Sequence, residues 1–313
     1  MKPIITLTLN PTIDGSASAD VVEPVRKIRT TDERYHPGGG GINVARVVQE
    51  LGGETLAIYL GGGATGAILD DLLRKAGIAS KHIAISGYTR IAHTVFERSS
   101  GQEYRFVPEG PEISEDEWEA CLAALEVLDF DYVVASGSLP RGLAANAYQR
   151  VSAIAAFQNA RFILDTSGTA LRDTLEHGVF MIKPNLGELE ELVGRLLPDT
   201  NAQVTAGRDL ISKKAAEIVA VTLGERGALI ISKDEAWRAA TPPVEARSAV
   251  GAGDSFVGAI TLAIAQGRPL DAALAYGVAA GTAAVLSPGA ELSRAEDVER
   301  LYAELLPDLV RIL

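Results

Sequence analysis

From about Asp131 onward short apolar runs alternate with segments of helical composition. The runs are Tyr132-Val133-Val134-Ala135, Phe162-Ile163-Leu164-Asp165 and Phe180-Met181-Ile182-Lys183. A strand with one face in water alternates apolar and polar residues, whereas three or more consecutive apolar residues in a short run imply that both faces are covered. Helical crossovers between parallel strands provide that cover, so the pattern predicts an α/β domain on a parallel sheet. Ile218-Val219-Ala220-Val221-Thr222 and Ala228-Leu229-Ile230-Ile231 extend the sheet. A capping box, Ser114-Glu115-Asp116-Glu117, opens a helix ahead of Trp118, and two long Ala-rich helices start near Gly253 and Leu270. The uncharged stretch from Ala272 to Ala290 is too weakly apolar to prefer lipid and reads as buried helix.

Two stretches, 15–37 and 88–108, break this rhythm and read as antiparallel strands. In the second, His93-Thr94-Val95-Phe96-Glu97-Arg98 and Glu103-Tyr104-Arg105-Phe106-Val107 flank Ser99-Ser100-Gly101-Gln102, a hairpin signal. They predict a small β lid, discontinuous in sequence, on a single domain spanning 1–313, since no Pro/Gly/Ser linker divides the chain. So small a sheet cannot bury a core of its own. Val95, Phe96, Tyr104 and Phe106 therefore call for a second surface, and a second copy of the lid would provide it in a homodimer.

With 29 Lys plus Arg against 41 Asp plus Glu, the net charge is −12. A polyanion would be repelled, so nucleic acid is excluded as a general partner, and any bound phosphate belongs to a small molecule in a local basic pocket. The single cysteine, Cys121, makes neither an internal disulfide nor a zinc site and points to a reducing compartment. The N-terminal residues alternate Thr with apolar side chains as a strand does, unlike the apolar block of a signal peptide. Cytoplasmic location with no membrane partner is the expectation.

Three motifs carry chemistry. In Ala249-Val250-Gly251-Ala252-Gly253-Asp254-Ser255-Phe256, glycines immediately before an apolar helical run free first-turn N–H groups to converge on one anion. Asp254 then reads either as a general base beside that anion hole or as a helix cap. Pro37-Gly38-Gly39-Gly40-Gly41-Ile42-Asn43-Val44-Ala45 lets backbone approach a polyhydroxylated sugar, with Asn43 as donor and acceptor. It lacks the Lys and Ser/Thr of a Walker A loop and fits the dinucleotide fingerprint poorly. A third glycine cluster, Gly61-Gly62-Gly63-Ala64-Thr65-Gly66, reads equally as turn or ligand contact. Lys183-Pro184-Asn185-Leu186-Gly187-Glu188 follows a strand, where open α/β sheets bind ligands, and Asn185 and Glu188 share one side of a nascent helical turn. That pair reads either as an organiser of waters around a divalent cation or as a surface helix start.

These motifs in this order resemble the phosphofructokinase B branch of the ribokinase-like sugar kinases. The resemblance extends to Thr6-Leu7-Thr8-Leu9-Asn10-Pro11-Thr12-Ile13-Asp14 and Ser136-Gly137-Ser138-Leu139-Pro140, and so covers essentially the whole chain. It implies a ribokinase-like, doubly wound sheet with helices on both faces and a β-sheet lid that also forms a dimer interface. The activity implied is transfer of a phosphoryl group from MgATP to the C1 hydroxyl of fructose 6-phosphate. Kinases of fructose 1-phosphate and tagatose 6-phosphate in the same branch share every catalytic element and are the alternatives. A non-catalytic phosphosugar sensor would not need Asp254 and the anion hole together with Asn185 and Glu188.

By this resemblance Asp254 is the base and Gly251, Ala252 and Gly253 form the anion hole. Asp14, Gly39 and Asn43 meet sugar hydroxyls. Lys27, Arg29, Arg90 and Arg105, with Ser138 nearby, hold the substrate's phosphate. ATP falls on Lys183, Asn185, Thr222, Gly224 and Gly227, and Glu188 holds Mg²⁺ through water. Ribokinases often place Asp three residues before the first glycine of the last motif for a monovalent cation; Ser248 stands there, which leaves a K⁺ site open.

Overall fold

The computed structural model describes residues 2–287, 289 and 291–312, so Pro288 and Ala290, in the stretch expected as buried helix, lie outside the described residues. The N-terminal part runs β1 (Ile4–Thr8), β2 (Thr12–Ala19), β3 (Thr31–Gly38), α1 (Gly40–Glu50), β4 (Thr55–Gly61), α2 (Gly63–Lys75) and β5 (Ser80–Ala84). Next come β6 (Arg90–Glu97), β7 (Glu103–Phe106), α3 (Glu115–Glu126), β8 (Tyr132–Ser136), α4 (Ala147–Phe157), β9 (Arg161–Asp165), α5 (Gly168–Thr174) and β10 (Val179–Ile182). The remainder comprises α6 (Leu186–Val193), α7 (Thr200–Ser212), β11 (Ala216–Thr222), β12 (Ala228–Ile231), β13 (Ala236–Ala239), α8 (Ala252–Ala265), α9 (Leu270–Leu286), α10 (Ala295–Leu305) and β14 (Val310–Arg311).

The main sheet has the order β14-β13-β12-β11-β10-β9-β8-β1-β4-β5. It is parallel from β5 to β11, and β12, β13 and β14 close its other edge antiparallel. The apolar runs are continuous because alternate residues enter different layers. In β8, Val133 and Ala135 pack with Trp118, Leu125 and Tyr148 of α3 and α4, whereas Val134 packs with Val44, Val257 and Ile260 of α1 and α8. From β1 the chain winds outward to β4 and β5 on one side and to β8–β11 on the other, which places a topological switch beside β1. Ligands bind at such a point, outside the carboxyl ends of the strands. No helix of the described residues is long and apolar enough to cross a membrane.

The lid is a four-stranded sheet of order β3-β2-β6-β7. Its two hairpins are antiparallel, as the alternation predicts, but they join through a parallel β2–β6 pairing. The register corrects one expectation. Val95 pairs with Tyr104 and His93 with Phe106, while Phe96 pairs with Glu103 and Thr94 with Arg105. Successive side chains alternate faces, so Phe96 shares the face of Arg105, and only Val95, Tyr104 and Phe106 lie together on the opposite one.

Candidate active site

Helix α8 begins at Gly251, whose φ of 75° is left-handed; a Cβ there would stand 2.4 Å from Leu292 Cδ2. No side chain caps this helix, and its first backbone bond runs from the Ser255 N–H to Gly251 O at 2.8 Å. The N–H groups of Ala252, Gly253 and Asp254 precede that bond and form the positive end of the helix dipole. Asp254 turns its carboxylate to another helix, where Oδ2 accepts from Asn43 Nδ2 at 2.8 Å. Burial pushes its pKa up to about 7 and the nearby Asp165 adds to the rise, against the Asn43 donor and the Lys183 charge. A carboxylate so poised takes up a proton near neutral pH.

Asp254 and Gly251 line a cavity of about 340 Å³ at the switch point. Asp14, Gly39, Asn43, Arg90, Arg105, Ser138 and Glu188, all marked in the sequence, line it too. Burial lifts Asp14 to about 6 against the lowering charges of Arg46, Arg90 and Arg105. Arg90 reaches in from β6 with its guanidinium fixed: Nη1 donates to Pro108 O and Nη2 to Asn10 O, both at 2.8 Å. Arg105 is exposed on β7 above the same space. Ser138 follows β8, and its Oγ accepts from Asn10 Nδ2 at 3.3 Å.

The glycines before α1 do more than admit a ligand. A Cβ at Gly40 would lie 2.3 Å from Ser136 Oγ, and one at Gly41 would lie 2.5 Å from Leu7 O. Half of this run therefore serves to seat α1 against β1 and β8. The cluster at 61–66 stands outside the cavity and carries the end of β4 into the start of α2, where the Gly62 N–H donates to Thr89 Oγ1 at 3.1 Å.

Beyond the start of α8, Lys183 Nζ pairs with Asp165 Oδ1 at 3.0 Å and would stand 3.7 Å from a Cβ on Gly253. Asn185 and Glu188 close a capping box on α6: the Glu188 N–H donates to Asn185 Oδ1 at 2.9 Å, and the Asn185 N–H to Glu188 Oε2 at 2.8 Å. The helix-start reading is thus present in the geometry, while Glu188 still borders the cavity. The Thr222 N–H donates to Pro184 O at 3.0 Å, which brings the end of β11 and its turn at Gly224 and Gly227 beside Asn185. Thr222, Gly224 and Gly227 do not line the cavity; Gly224 is exposed and Gly227 buried in the turn that follows β11. Lys27 and Arg29 sit exposed on the β2–β3 connection, also outside it. Ser248 is buried, and its Oγ accepts from the Val250 N–H at 3.3 Å.

Two residues escaped the sequence reading. Asp165 ends a β9 run that the reading identified, and a carboxylate at the carboxyl end of a buried strand was a usable signal. Arg46, half-buried behind Asn43, gave no signal beyond its helical spacing of three.

The profile of the pfkB family carbohydrate kinases matches residues 8–297, and the chain belongs to that family. It is 44% identical over 304 residues to the ATP-dependent 6-phosphofructokinase isozyme 2 of Mycobacterium tuberculosis, covering 96% of this chain and 89% of that one. Identity to the 1-phosphofructokinase of Bacillus subtilis is 32%, over 96% and 98% of the two chains. The phosphofructokinase-2 of Escherichia coli in complex with fructose-6-phosphate superposes with a TM-score of 0.92 at 37% identity, covering 97% and 99%. The same enzyme has been solved in complex with potassium, with a TM-score of 0.94 at 37% identity over 98% and 100% of the chains. Its tetrameric inhibited form matches at 0.92 and 37%, over 98% and 100%. This chain is thus an ATP-dependent sugar kinase with a ribokinase-like fold and a separate lid sheet.

Proposed function

We propose that this kinase phosphorylates the C1 hydroxyl of fructose 6-phosphate, giving the 1,6-bisphosphate. The observation that carries the reading is one cavity with Asp254 and Gly251 on one wall and Arg90 and Arg105, from the lid, on another. A sugar phosphate spans it with its phosphate on the two guanidinium groups and its free hydroxyl toward the base. Asp14, Gly39 and Asn43 orient the ring hydroxyls. Asp254 takes the C1 hydroxyl proton as the oxygen bonds to the γ-phosphorus and the bond to the β-phosphate oxygen breaks. The N–H groups of Ala252, Gly253 and Asp254 stabilise the transferring group.

Lys183, Asn185, Thr222, Gly224 and Gly227 receive ATP, with Lys183 nearest the N-terminus of α8. One carboxylate at the cavity edge suits Mg²⁺, which keeps several waters and leans on substrate phosphates, and Glu188 fills that role through water. When bound, the ion neutralises charge on the β- and γ-oxygens. Ser248 Oγ donates to Glu103 Oε2 at 3.4 Å, and comparing rates in K⁺ and Na⁺ tests for a monovalent-cation site there. Lys27 and Arg29, being outside the cavity, join the phosphate clamp only through the lid-mediated homodimer, which belongs to this reading, as does a cytoplasmic location.

The higher identity to 6-phosphofructokinases than to 1-phosphofructokinase favours fructose 6-phosphate. Measuring kcat/KM with ATP for fructose 6-phosphate, fructose 1-phosphate and tagatose 6-phosphate tests the choice. A ranking with either alternative first overturns it.

A further inference from the structure

Arg46, one turn beyond Asn43 on α1, donates from Nη1 to Asn43 Oδ1 at 3.1 Å and to Pro37 O at 3.0 Å. The other end of the same carboxamide donates from Nδ2 to Asp254 Oδ2 at 2.8 Å. A guanidinium only donates and an ionised carboxylate only accepts, so these neighbours on opposite sides of Asn43 allow one orientation of its amide. A flipped amide would place NH₂ against guanidinium and oxygen against carboxylate, losing both bonds and adding repulsion at both ends.

We propose that Arg46 is a positioning residue for phosphoryl transfer: it locks the Asn43 carboxamide in the one orientation that donates to Asp254. This rests on the reading of Asp254 as the base. The charged surroundings make such a lock necessary. Asp165 and Lys183 face Asp254 from β9 and the end of β10, and Asp14 faces it from β2. Asp14 and Glu291 also face Arg46, and His36 lies beside it. The lid residues Arg90 and Arg105 act on Asp14. Within this crowd the Asn43 N–H is a direct hydrogen bond that favours the ionised base, and burial and Asp165 both oppose ionisation. If Asn43 were free to flip, the base would lose its donor for part of the time and hold its proton to higher pH.

The test separates orientation from charge. Arg46→Met removes both the donor and the charge. Arg46→Lys keeps the charge, but its side chain is one atom shorter to the terminal nitrogen, so it loses the reach to Asn43 Oδ1. The pH dependence of kcat/KM is measured for both against the parent enzyme, so that the ionisations of ATP and the sugar phosphate are common to all profiles. Both variants are expected to shift the acidic limb upward by about one pH unit, so that the activity deficit is greater at pH 6 than at pH 8.5. In an Asn43→Ala background, Arg46→Lys is expected to add little further shift.

A parental limb in Arg46→Lys would mean that charge alone matters and would overturn the proposal, as would shifts that add fully in the double variant. If Arg46→Met does not fold, Arg46→Lys and the double variant still decide the matter. An Asp254→Asn enzyme with near-parental kcat fails the base assignment itself. Unshifted Arg46 profiles alongside an inactive Asp254→Asn enzyme fail only the positioning role.

Discussion

The carboxamide of Asn43 donates to the carboxylate of Asp254 across 2.8 Å, joining the glycine-led helix at the front of the chain to the glycine-led helix near its end. Residues 211 positions apart thereby meet in the wall of one cavity. If Asp254 accepts the sugar's proton, Asp254→Asn keeps the shape and the Asn43 contact but removes the basicity. The expected result is a loss in kcat of roughly 10²- to 10⁴-fold with KM for both substrates little changed. Steady-state kinetics check this, and near-parental kcat would return Asp254 to the role of a helix-terminal residue.

The same carboxylate has a stability signature. Its pKa is about 7 in the folded chain, well above the ordinary carboxylate range, so between pH 4 and 7 the folded state retains a proton that the unfolded chain has released. The folded state binds more protons there, and this group's contribution to stability falls as pH rises through that window. Asp254→Asn escapes the loss. Relative to the parent, its Tm should be higher by a few degrees at pH 8, with the gap closing toward pH 4. Thermal scans at the two pH values test it, and a gap independent of pH would show that Asp254 is not held in its raised state.

Gly251 supplies a backbone prediction. A side chain there meets an unfavourable φ of 75° and a 2.4 Å approach to Leu292 Cδ2, so Gly251→Ala must move the turn or the leucine. Displacing the first-turn N–H groups removes stabilisation that matters most in the transition state. A drop in kcat of about 10-fold or more with ATP KM nearly unchanged is expected, and Leu292→Ala should recover part of it. Kinetics of the single and double variants decide it, and full activity in Gly251→Ala would remove the turn from the anion hole.

How much of this was legible beforehand follows from range. The double burial of β8, β9 and β10 shows in the consecutive apolar residues at their centres, so the sheet could be read directly. Gly251 and Asp254 lie within four residues, and their meaning is local. The contact of Arg46 with Asn43 is also local, yet nothing distinguishes it from a solvated helical arginine until Asp254 arrives from across the chain. The Asn185–Glu188 spacing serves a capping box and a cation site equally, because both need two side chains on one helical turn. Phe96 was misplaced because all the apolar lid positions were grouped together, although the period of two separates it from its neighbour Val95.

Arg105 gives a cleaner test of the phosphate clamp than Arg90, whose guanidinium also holds the Pro108 and Asn10 carbonyls. Arg105 is exposed, so its removal leaves no buried group unpaired. Arg105→Ala should raise KM for the sugar phosphate about 10-fold or more and leave KM for ATP within about twofold. Arg90→Ala should show the same bias plus a lower Tm. Equal rises in both KM values for Arg105→Ala would take the lid out of phosphate recognition.

The lid face opposite the cavity carries the last prediction. Tyr35 and Phe106 are 48% and 59% exposed, and Val95 and Tyr104 lie with Phe106 on that face, an apolar surface that a four-stranded sheet leaves in water. A second lid related by a two-fold axis would cover it with like surface and leave Arg105, on the other face, directed at the cavity. Val95→Asp places a charge on the covered face without touching the cavity wall, and is expected to give monomers with lost or greatly reduced activity. Phe96→Asp, on the cavity face, should impair activity while leaving the dimer intact. Sedimentation at micromolar concentration alongside activity assays distinguishes the two, and a fully active monomeric parent enzyme would overturn the lid interface.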